Sequence, residues 1–98
     1  KILHQIKKNR LTKNAKILLA GVTYKKDVPD IRNSFSLEIA ISIKKIFKNS
    51  VIYDPYVKKY NNSKINKQLG LFEGIVILTN HNCFKKFSKF NSKIINFL

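Results

Sequence analysis

The sequence predicts a small three-layer α/β domain built around a parallel sheet. Residues 16–22 and 75–78 are nearly continuous apolar runs, as expected of strands buried on both faces of such a sheet. A helical pattern separates the first run from a short strand at 51–53, so residues 17–53 have the order strand, loop, helix, strand. Such a crossover almost always joins parallel strands in a right-handed sense.

The helix of this unit is expected to run from Ser34 to about Phe47. Ser34 is a favourable N-cap, and Glu38 lies in the first turn, where the helix dipole favours a negative charge. Apolar residues then recur at helical spacing and form one stripe along the helix. The stripe consists of Ile39, Ala40, Ile43, Ile46 and Phe47.

Two further elements are predicted after the strand at 51–53. The dipeptide Asp54-Pro55 ends that strand, because a residue before proline favours an extended or turn conformation. Residues 56–70 are polar, rich in lysine and weakly periodic, which predicts a loop with a weak helix at most. The strand at 75–78 is followed by an exit turn at 79–82.

The last part of the chain is marked by aromatic residues at every third position. These are Phe84, Phe87 and Phe90, and they predict a short helix that docks through its rings. The apolar residues of 94–98 then predict the start of a fourth strand.

The strongest compositional feature is a formal net charge of +15, from 20 Lys and Arg against 5 Asp and Glu. A field of this size attracts nucleic acid, anionic membranes or phosphorylated ligands. The other interpretation, which we favour, is compositional drift, because almost all of the charge is lysine scattered along the chain. The only arginines are Arg10 and Arg32, whereas proteins that read bases rely on arginine. We therefore expect no specific nucleic-acid partner.

Composition also restricts the class of protein. A length of 98 residues and an apolar fraction of 44% allow one domain with a real core. No apolar run approaches the roughly 20 residues of a membrane span, and residues 1–16 lack the apolar core of a secretory signal. Cys83 is the only cysteine, so an internal disulfide is impossible. These features fit a cytoplasmic protein with no membrane partner.

The loop between the first strand and the helix concentrates the residues that could bind a ligand. It contains Lys25, Lys26, Asp30 and Arg32, and it lies where parallel α/β sheets place their ligand sites. A lysine and an arginine at a helix N-terminus can bind phosphate, and Asp30 can hold Arg32 through a two-pronged hydrogen bond. The alternative is a solvated polar loop with an incidental ion pair. Gly21 fits both interpretations, because glycine suits either a turn or a close backbone approach.

The same loop contains a spaced signature, Gly-x-x-Tyr-Lys-x-Asp-x-x-Asp-x-Arg-x-Ser. Its residues are Gly21, Tyr24, Lys25, Asp27, Asp30, Arg32 and Ser34. A strand ending in Tyr53-Asp54-Pro55 follows, and a later strand leads to Thr79, His81 and Phe84. In this order and over residues 16–98, these pieces resemble the UDP-glucose/GDP-mannose dehydrogenase family.

The resemblance implies a Rossmann-like UDP-sugar-binding domain from the C-terminal part of a longer enzyme. Residues 1–15 would be the end of a connecting helix, and 16–98 the UDP-binding domain, truncated at its C-terminal end. Residues 24–28 lean toward the UDP-N-acetylhexosamine 6-dehydrogenase branch. Such enzymes oxidise the C6 alcohol of a UDP-sugar to a uronate in two NAD-dependent steps and supply polysaccharide precursors. The parent enzyme is expected to be a homodimer.

The resemblance also implies roles for four residues of the loop. Tyr24 and Lys25 would line the substrate site for the nucleotide-sugar. Arg32 would reach the phosphates of the cofactor NAD, and Asp30 would orient its guanidinium. Most of the NAD site would belong to a preceding domain, because this sequence contains no Gly-x-Gly-x-x-Gly.

No catalytic residue is expected in this chain. It lacks the Gly-Gly-x-Cys that the family uses, so the chain alone should not oxidise a sugar. Cys83 is interpreted as a partly buried structural thiol rather than a nucleophile, and His81 as a hydrogen-bonding structural residue rather than a base. No cluster of His, Cys and carboxylates has metal-ligand spacing. The alternative function is that of a small basic α/β module that binds nucleic acid or a protein.

Overall fold

The chain folds into a parallel sheet with a helix packed against one face. The computed structural model describes residues 14–25, 27–32, 34–62, 64–65, 69–89 and 93–96. Within these ranges the strands are β1 (Ile17–Ala20), β2 (Val51–Tyr53), β3 (Gly74–Ile77) and β4 (Lys93–Asn96), and the α-helix is α1 (Phe35–Ile46). The strand order is β2-β1-β3-β4, and every neighbouring pair is parallel. The predicted α/β class with a parallel sheet is confirmed.

Strand β1 is an inner strand with β2 on one side and β3 on the other. Leu18 pairs with Val51 of β2, and Ala20 pairs with Ile77 of β3. The chain therefore goes from β1 to one neighbour and then crosses to the opposite side for β3. In open α/β sheets, this change of direction places the ligand crevice at the carboxyl ends of the two strands involved. The loops that follow β1 and β3 are thus where the topology predicts a site.

The two faces of the sheet have separate hydrophobic cores, because side chains alternate along each strand. In one core, Ile17, Leu19 and Val76 of the sheet pack with Ala40 and Ile43 of α1 and with Phe47, which directly follows the helix. The other contains Leu18, Ala20 and Ile75 with Ile65, Phe72 and Phe84. The predicted three layers are therefore present, with α1 on one side and short connecting segments on the other.

Helix α1 begins where its predicted N-cap lies. The Oγ of Ser34 accepts the backbone N–H of Leu37 at 3.1 Å, which satisfies one of the helix's unpaired donors. Glu38 lies in the first turn, and Lys44 and Lys45 lie in the last turn, so both ends complement the helix dipole. The helix ends at Ile46, one residue before the predicted Phe47.

The remaining segments are mostly short 3₁₀-helices. They are Lys58–Tyr60, Leu69–Leu71 and Asn82–Lys89. The predicted aromatic helix is the last of these, and the three-residue spacing of its phenylalanines equals the 3₁₀ period. Phe84 is buried in the second core, as the docking prediction requires, whereas Phe90 lies outside the described residues.

Strand β2 has the predicted bounds, whereas the boundaries of β1 and β3 differ from the predictions by one or two residues. Strand β1 is shorter than 16–22, because Gly21 turns the chain away from the sheet with a positive φ. Residues 1–13 of the predicted connecting helix at 1–15 lie outside the described residues, as do Phe97 and Leu98 of the predicted fourth strand. The twelve residues of α1 are too few to cross a membrane, and no other helix among the described residues is long and apolar enough to do so.

Candidate functional site

Gly21 marks the start of the β1–α1 loop, which comprises residues 21–34. Its φ is +89°, a conformation that residues with a side chain rarely adopt. A Cβ at this position would clash with the backbone carbonyl of Thr79 and would lie 2.8 Å from its amide nitrogen. Both a turn and a close backbone approach therefore require glycine here, and the loops after β1 and β3 are in contact at this point.

The first residues of the loop are fastened to three neighbouring segments. Val22 donates its backbone N–H to Asp54 Oδ2 at 2.8 Å, just after β2. The carbonyl oxygen of Val22 accepts a hydrogen bond from Ser34 Oγ at 2.6 Å, at the start of α1. The carbonyl oxygen of Thr23 accepts one from Thr79 Oγ1 at 2.8 Å, just after β3.

His81 lies fully buried beneath the loop. Its Nδ1 accepts the backbone N–H of Asp27 at 2.7 Å, and its Nε2 is 2.8 Å from Asp54 Oδ2. A ring nitrogen that accepts a hydrogen bond carries no proton, so we assign the proton to Nε2, which donates it to Asp54. Thr23 Oγ1 lies 3.2 Å from the same Nε2 and donates to the carbonyl oxygen of Lys25 at 2.7 Å. The predicted hydrogen-bonding role of His81 is confirmed.

Asp54 is a carboxylate with no exposed surface. Its Oδ2 accepts hydrogen bonds from Val22 N–H and His81 Nε2, and its Oδ1 accepts one from Tyr56 N–H, each at 2.8 Å. Burial by itself would raise the pKa of this carboxyl, but the hydrogen bonds from His81, Val22 and Tyr56 outweigh it. The pKa of Asp54 is therefore below its usual value, and the group is ionised at neutral pH.

Asp27 connects the far side of the loop to the end of β3. Its φ is +59°, which is uncommon for a residue with a side chain. Its Oδ1 accepts the backbone N–H of Asn82 at 2.9 Å, and its Oδ2 accepts from Asn82 Nδ2 at 2.6 Å. We call the group formed by Thr23, Asp27, Asp54, His81 and Asn82 the His81 network. It joins the exits of β1, β2 and β3.

Tyr24 and Lys25, the predicted substrate-binding residues, lie between the anchored residues of the loop. The backbone N–H of Tyr24 donates to the carbonyl oxygen of Asp30 at 2.6 Å, which closes the loop on itself. Tyr24 is 57% exposed. Lys25 is also exposed, and its Nζ lies 5.7 Å from the centre of the Tyr24 ring. An aromatic face and a cation are thus presented together to solvent.

Asp30 and Arg32, the predicted cofactor-binding pair, form the expected two-pronged hydrogen bond. Arg32 Nε donates to Asp30 Oδ1 at 3.2 Å and Nη2 donates to Oδ2 at 3.1 Å, while the Arg32 backbone N–H also donates to Oδ1 at 2.9 Å. The hydrogen bonds from Arg32 lower the pKa of Asp30, and Asp30 raises that of Arg32. The Arg32 side chain is 87% exposed. A guanidinium has five N–H donors, so those that Asp30 does not use can face an anion.

Two other candidates from the sequence have different outcomes. Cys83 is exposed, so the prediction of a partly buried thiol is wrong. The 3₁₀-helix from Asn82 to Lys89 directs Phe84 into the core and leaves the residue before it at the surface. Lys26, the second lysine of the loop, lies outside the described residues. In the part of the chain that the structure describes, no group of three His, Cys, Asp or Glu side chains could hold a metal ion.

The His81 network is the feature of the site that the sequence did not predict. Asp27 and His81 are 54 residues apart, and Asp54 and His81 are 27 apart. No local periodicity links such positions. The available signals were an aspartate directly after one strand and a histidine shortly after another, since parallel strand ends meet at one edge of the sheet.

A parallel α/β domain with an anchored loop at its switch point, bearing exposed tyrosine, lysine and arginine side chains, has the features of a nucleotide-binding domain. The comparisons with known proteins specify which one. The model of the UDP-glucose/GDP-mannose dehydrogenase family, UDP binding domain, matches residues 18–96. The chain belongs to this family, and the match favours the dehydrogenase interpretation over a nucleic-acid-binding module.

Two relatives indicate the branch of the family that this chain resembles. Over 85 residues it is 33% identical to the UDP-N-acetyl-D-mannosamine dehydrogenase of Methanococcus aeolicus, covering 85% of this chain and 19% of that protein. Its structure is similar to that of the UDP-D-ManNAc dehydrogenase from Pyrococcus horikoshii, with a TM-score of 0.75 and 28% identity. That alignment covers 97% of this chain and 24% of the solved one. The chain thus spans about a fifth to a quarter of the length of these relatives.

Proposed function

We propose that this chain is the UDP-sugar-binding domain of an NAD-dependent nucleotide-sugar 6-dehydrogenase. The observation that carries the proposal is the family match over residues 18–96, which includes the whole anchored β1–α1 loop. Both relatives are named as dehydrogenases of UDP-N-acetyl-D-mannosamine, which supports a UDP-N-acetylhexosamine as the substrate. The reaction would convert the C6 alcohol of the sugar to a uronate for polysaccharide synthesis.

Tyr24 and Lys25 are proposed to contact the UDP-sugar. Lys25 presents an exposed ammonium group beside the Tyr24 ring. Such a cation attracts the diphosphate of a UDP-sugar, which carries at least two negative charges. The net charge of +15 adds a favourable long-range field for an anionic ligand. Because hydrogen bonds to the neighbouring segments already fix the loop backbone, ligand binding would cost little additional conformational entropy at these two residues.

Arg32 is proposed to contact the phosphates of NAD, with Asp30 holding its guanidinium. The exposed guanidinium fits this role, because it keeps N–H donors beyond those that bind Asp30. NAD accepts the hydride in this chemistry. The residues of this chain would bind and orient ligands, and the rest of the NAD site and the catalytic cysteine would belong to other domains of the same enzyme. A homodimeric parent and a cytoplasmic location stay predictions.

Titration of the ¹⁵N-labelled chain with UDP, UDP-N-acetylmannosamine and uridine tests the proposal. We expect weak binding, because part of the site would lie in other domains, and shifts confined to amides of the β1–α1 loop. Uridine should bind more weakly because it lacks the diphosphate. Lys25→Ala should reduce the affinity, whereas Lys45→Ala, an equal loss of charge in the last turn of α1, should not. If millimolar UDP shifts amide signals elsewhere in the chain but not those of the β1–α1 loop, the proposed site is wrong.

Arg32→Lys tests the cofactor assignment in the dehydrogenase that we propose carries this domain. A guanidinium can make a two-pronged hydrogen bond to Asp30 on one edge and to a phosphate on another, whereas an ammonium cannot do both. The affinity for NAD should therefore fall by about ten- to a hundredfold. The melting temperature should change little, because the side chain is exposed. If only the dependence on UDP-sugar changes, Arg32 faces the substrate; if neither changes, it is outside the site.

A further inference from the structure

His81 contacts the chain on both sides of the two proposed substrate-binding residues. Before them, Thr23 Oγ1 lies 3.2 Å from His81 Nε2. After them, the backbone N–H of Asp27 donates to His81 Nδ1 at 2.7 Å. Tyr24 and Lys25 are therefore two exposed residues of the segment between Thr23 and Asp27, both of which contact one buried imidazole.

We propose that His81 is a positioning residue that holds Tyr24 and Lys25 in their ligand-binding arrangement. This inference rests on the proposed function, since it concerns the same loop. His81 does not touch the proposed ligand, because it has no exposed surface. It acts through the loop backbone, and its own ring is fixed by Asp54 at 2.8 Å.

The backbone geometry at Asp27 shows why an anchor is needed there. A φ of +59° is uncommon for a residue with a side chain, although aspartate adopts it more readily than most, and several contacts stabilise it here. The contacts are the hydrogen bond from Asp27 N–H to His81 and those from Asn82 to the Asp27 carboxylate at 2.9 and 2.6 Å. Without the imidazole acceptor, the N–H would lose its partner and the loop could relax to conformations that move Lys25.

The imidazole is suited to this task by its two different nitrogens. One accepts from the loop and the other donates to Asp54, so a single ring bridges a backbone N–H and a buried carboxylate. Two aromatic rings pack against the imidazole at tilted angles, Tyr56 with 4.6 Å between ring centres and Phe84 with 5.1 Å. The ring orientation is thus set by packing as well as by hydrogen bonds.

Three variants separate positioning from general stability. His81→Phe keeps an aromatic ring in contact with Tyr56 and Phe84 but provides no hydrogen bond. His81→Gln supplies one amide donor and one amide acceptor and should partly restore function. Ser50→Ala is the matched control, because it removes a buried hydrogen bond to the Phe47 carbonyl oxygen at the opposite, amino end of β2.

Two readouts are measured on each variant, namely ¹⁵N relaxation of the Tyr24 and Lys25 amides without ligand and the affinity for UDP. We expect His81→Phe to increase the motion of both amides and to weaken UDP binding about tenfold, since fewer molecules hold the competent loop. His81→Gln should recover part of the affinity. Ser50→Ala should lower the melting temperature and leave both readouts unchanged. An unaltered loop and unaltered UDP affinity in folded His81→Phe would overturn the proposal.

Two additional measurements keep the inference testable if His81→Phe does not fold. Asn82→Ala removes the 2.6 Å contact with Asp27 from an exposed position, and it should loosen the same amides to a smaller extent. Long-range ¹H–¹⁵N spectra of the wild-type imidazole should show a proton on Nε2 and none on Nδ1; the reverse tautomer would overturn the proposal. A wild-type chain that binds no UDP contradicts the proposed function instead, while the relaxation data still decide whether His81 orders the loop.

Discussion

At Gly21 the backbone has a left-handed φ and also passes very close to Thr79. Gly21→Ala should therefore destabilise the domain by roughly 2–4 kcal/mol, because the methyl group meets backbone atoms that cannot move aside. Chemical denaturation measures the change. Gly70→Ala is the control, since nothing lies within 4 Å of its added Cβ, and it should change the stability by less than about 1 kcal/mol. Equal effects at both positions would contradict the close approach.

Asp54 gives the domain a defined dependence on pH. Its pKa is lowered in the folded state, so it contributes stability that is present above its unfolded pKa of about 3.9 and is lost as pH falls through the folded value. The contribution of Asp54 to the free energy of unfolding should therefore be constant near neutral pH and decrease below about pH 4.

Replacement of this carboxylate should remove that dependence. Asp54→Asn retains the shape, but its NH2 group would face the N–H of Tyr56 at the Oδ1 position, or the N–H of Val22 and the Nε2–H of His81 at the Oδ2 position. Two donors would then oppose each other, which should cost roughly 1.5–3 kcal/mol at neutral pH. Denaturation curves between pH 7 and pH 3 compare the two proteins. If the variant loses as much stability on acidification as the wild type, other carboxylates are responsible.

Among the elements, α1 depends most clearly on one side chain. Ser34 Oγ accepts from Leu37 N–H and donates to the carbonyl oxygen of Val22, so it caps the helix and fastens it to the β1 exit. Ser34→Ala should lower the free energy of unfolding by about 1–3 kcal/mol through loss of both contacts. Ser42→Ala, on an exposed helix position, should be neutral or slightly stabilising, because alanine favours helix. A neutral Ser34→Ala would show that the cap contributes little.

The elements were predictable from sequence to the extent that their signals are local. The cap at Ser34 and the strand at 51–53 coincide with the structure because each depends on residues that are neighbours in the chain. The spacing of the aromatic residues predicts a helix but not its type, because residues three positions apart are neighbours on an α-helix as well as on a 3₁₀-helix. The predicted burial of Cys83 is wrong because exposure changes from one residue to the next on a 3₁₀-helix, where Cys83 is exposed and Phe84 is buried.

At the scale of the whole molecule, the sequence predicts the class of fold. It does not predict that the residues following β1, β2 and β3 contact one another. Apolar runs predict strands, and the strand-helix-strand order predicts parallel pairing, yet neither places β3 on the other side of β1. The His81 network depends on that placement, because it joins residues from the ends of three strands. Its members are hence visible in the sequence only as separate polar residues.

The net charge of +15 is a property of the whole molecule, and salt separates it from the local site. Association with duplex DNA through scattered lysines should be weak, equal for two unrelated sequences, and at least about tenfold weaker at 200 mM than at 50 mM salt, because it is driven by counterion release. UDP lacks a condensed counterion atmosphere, so its binding at Lys25 should fall less over the same range. Fluorescence anisotropy with two labelled duplexes, beside the UDP titration, measures both slopes. DNA binding that survives near-physiological salt and prefers one sequence would instead favour the nucleic-acid-binding module.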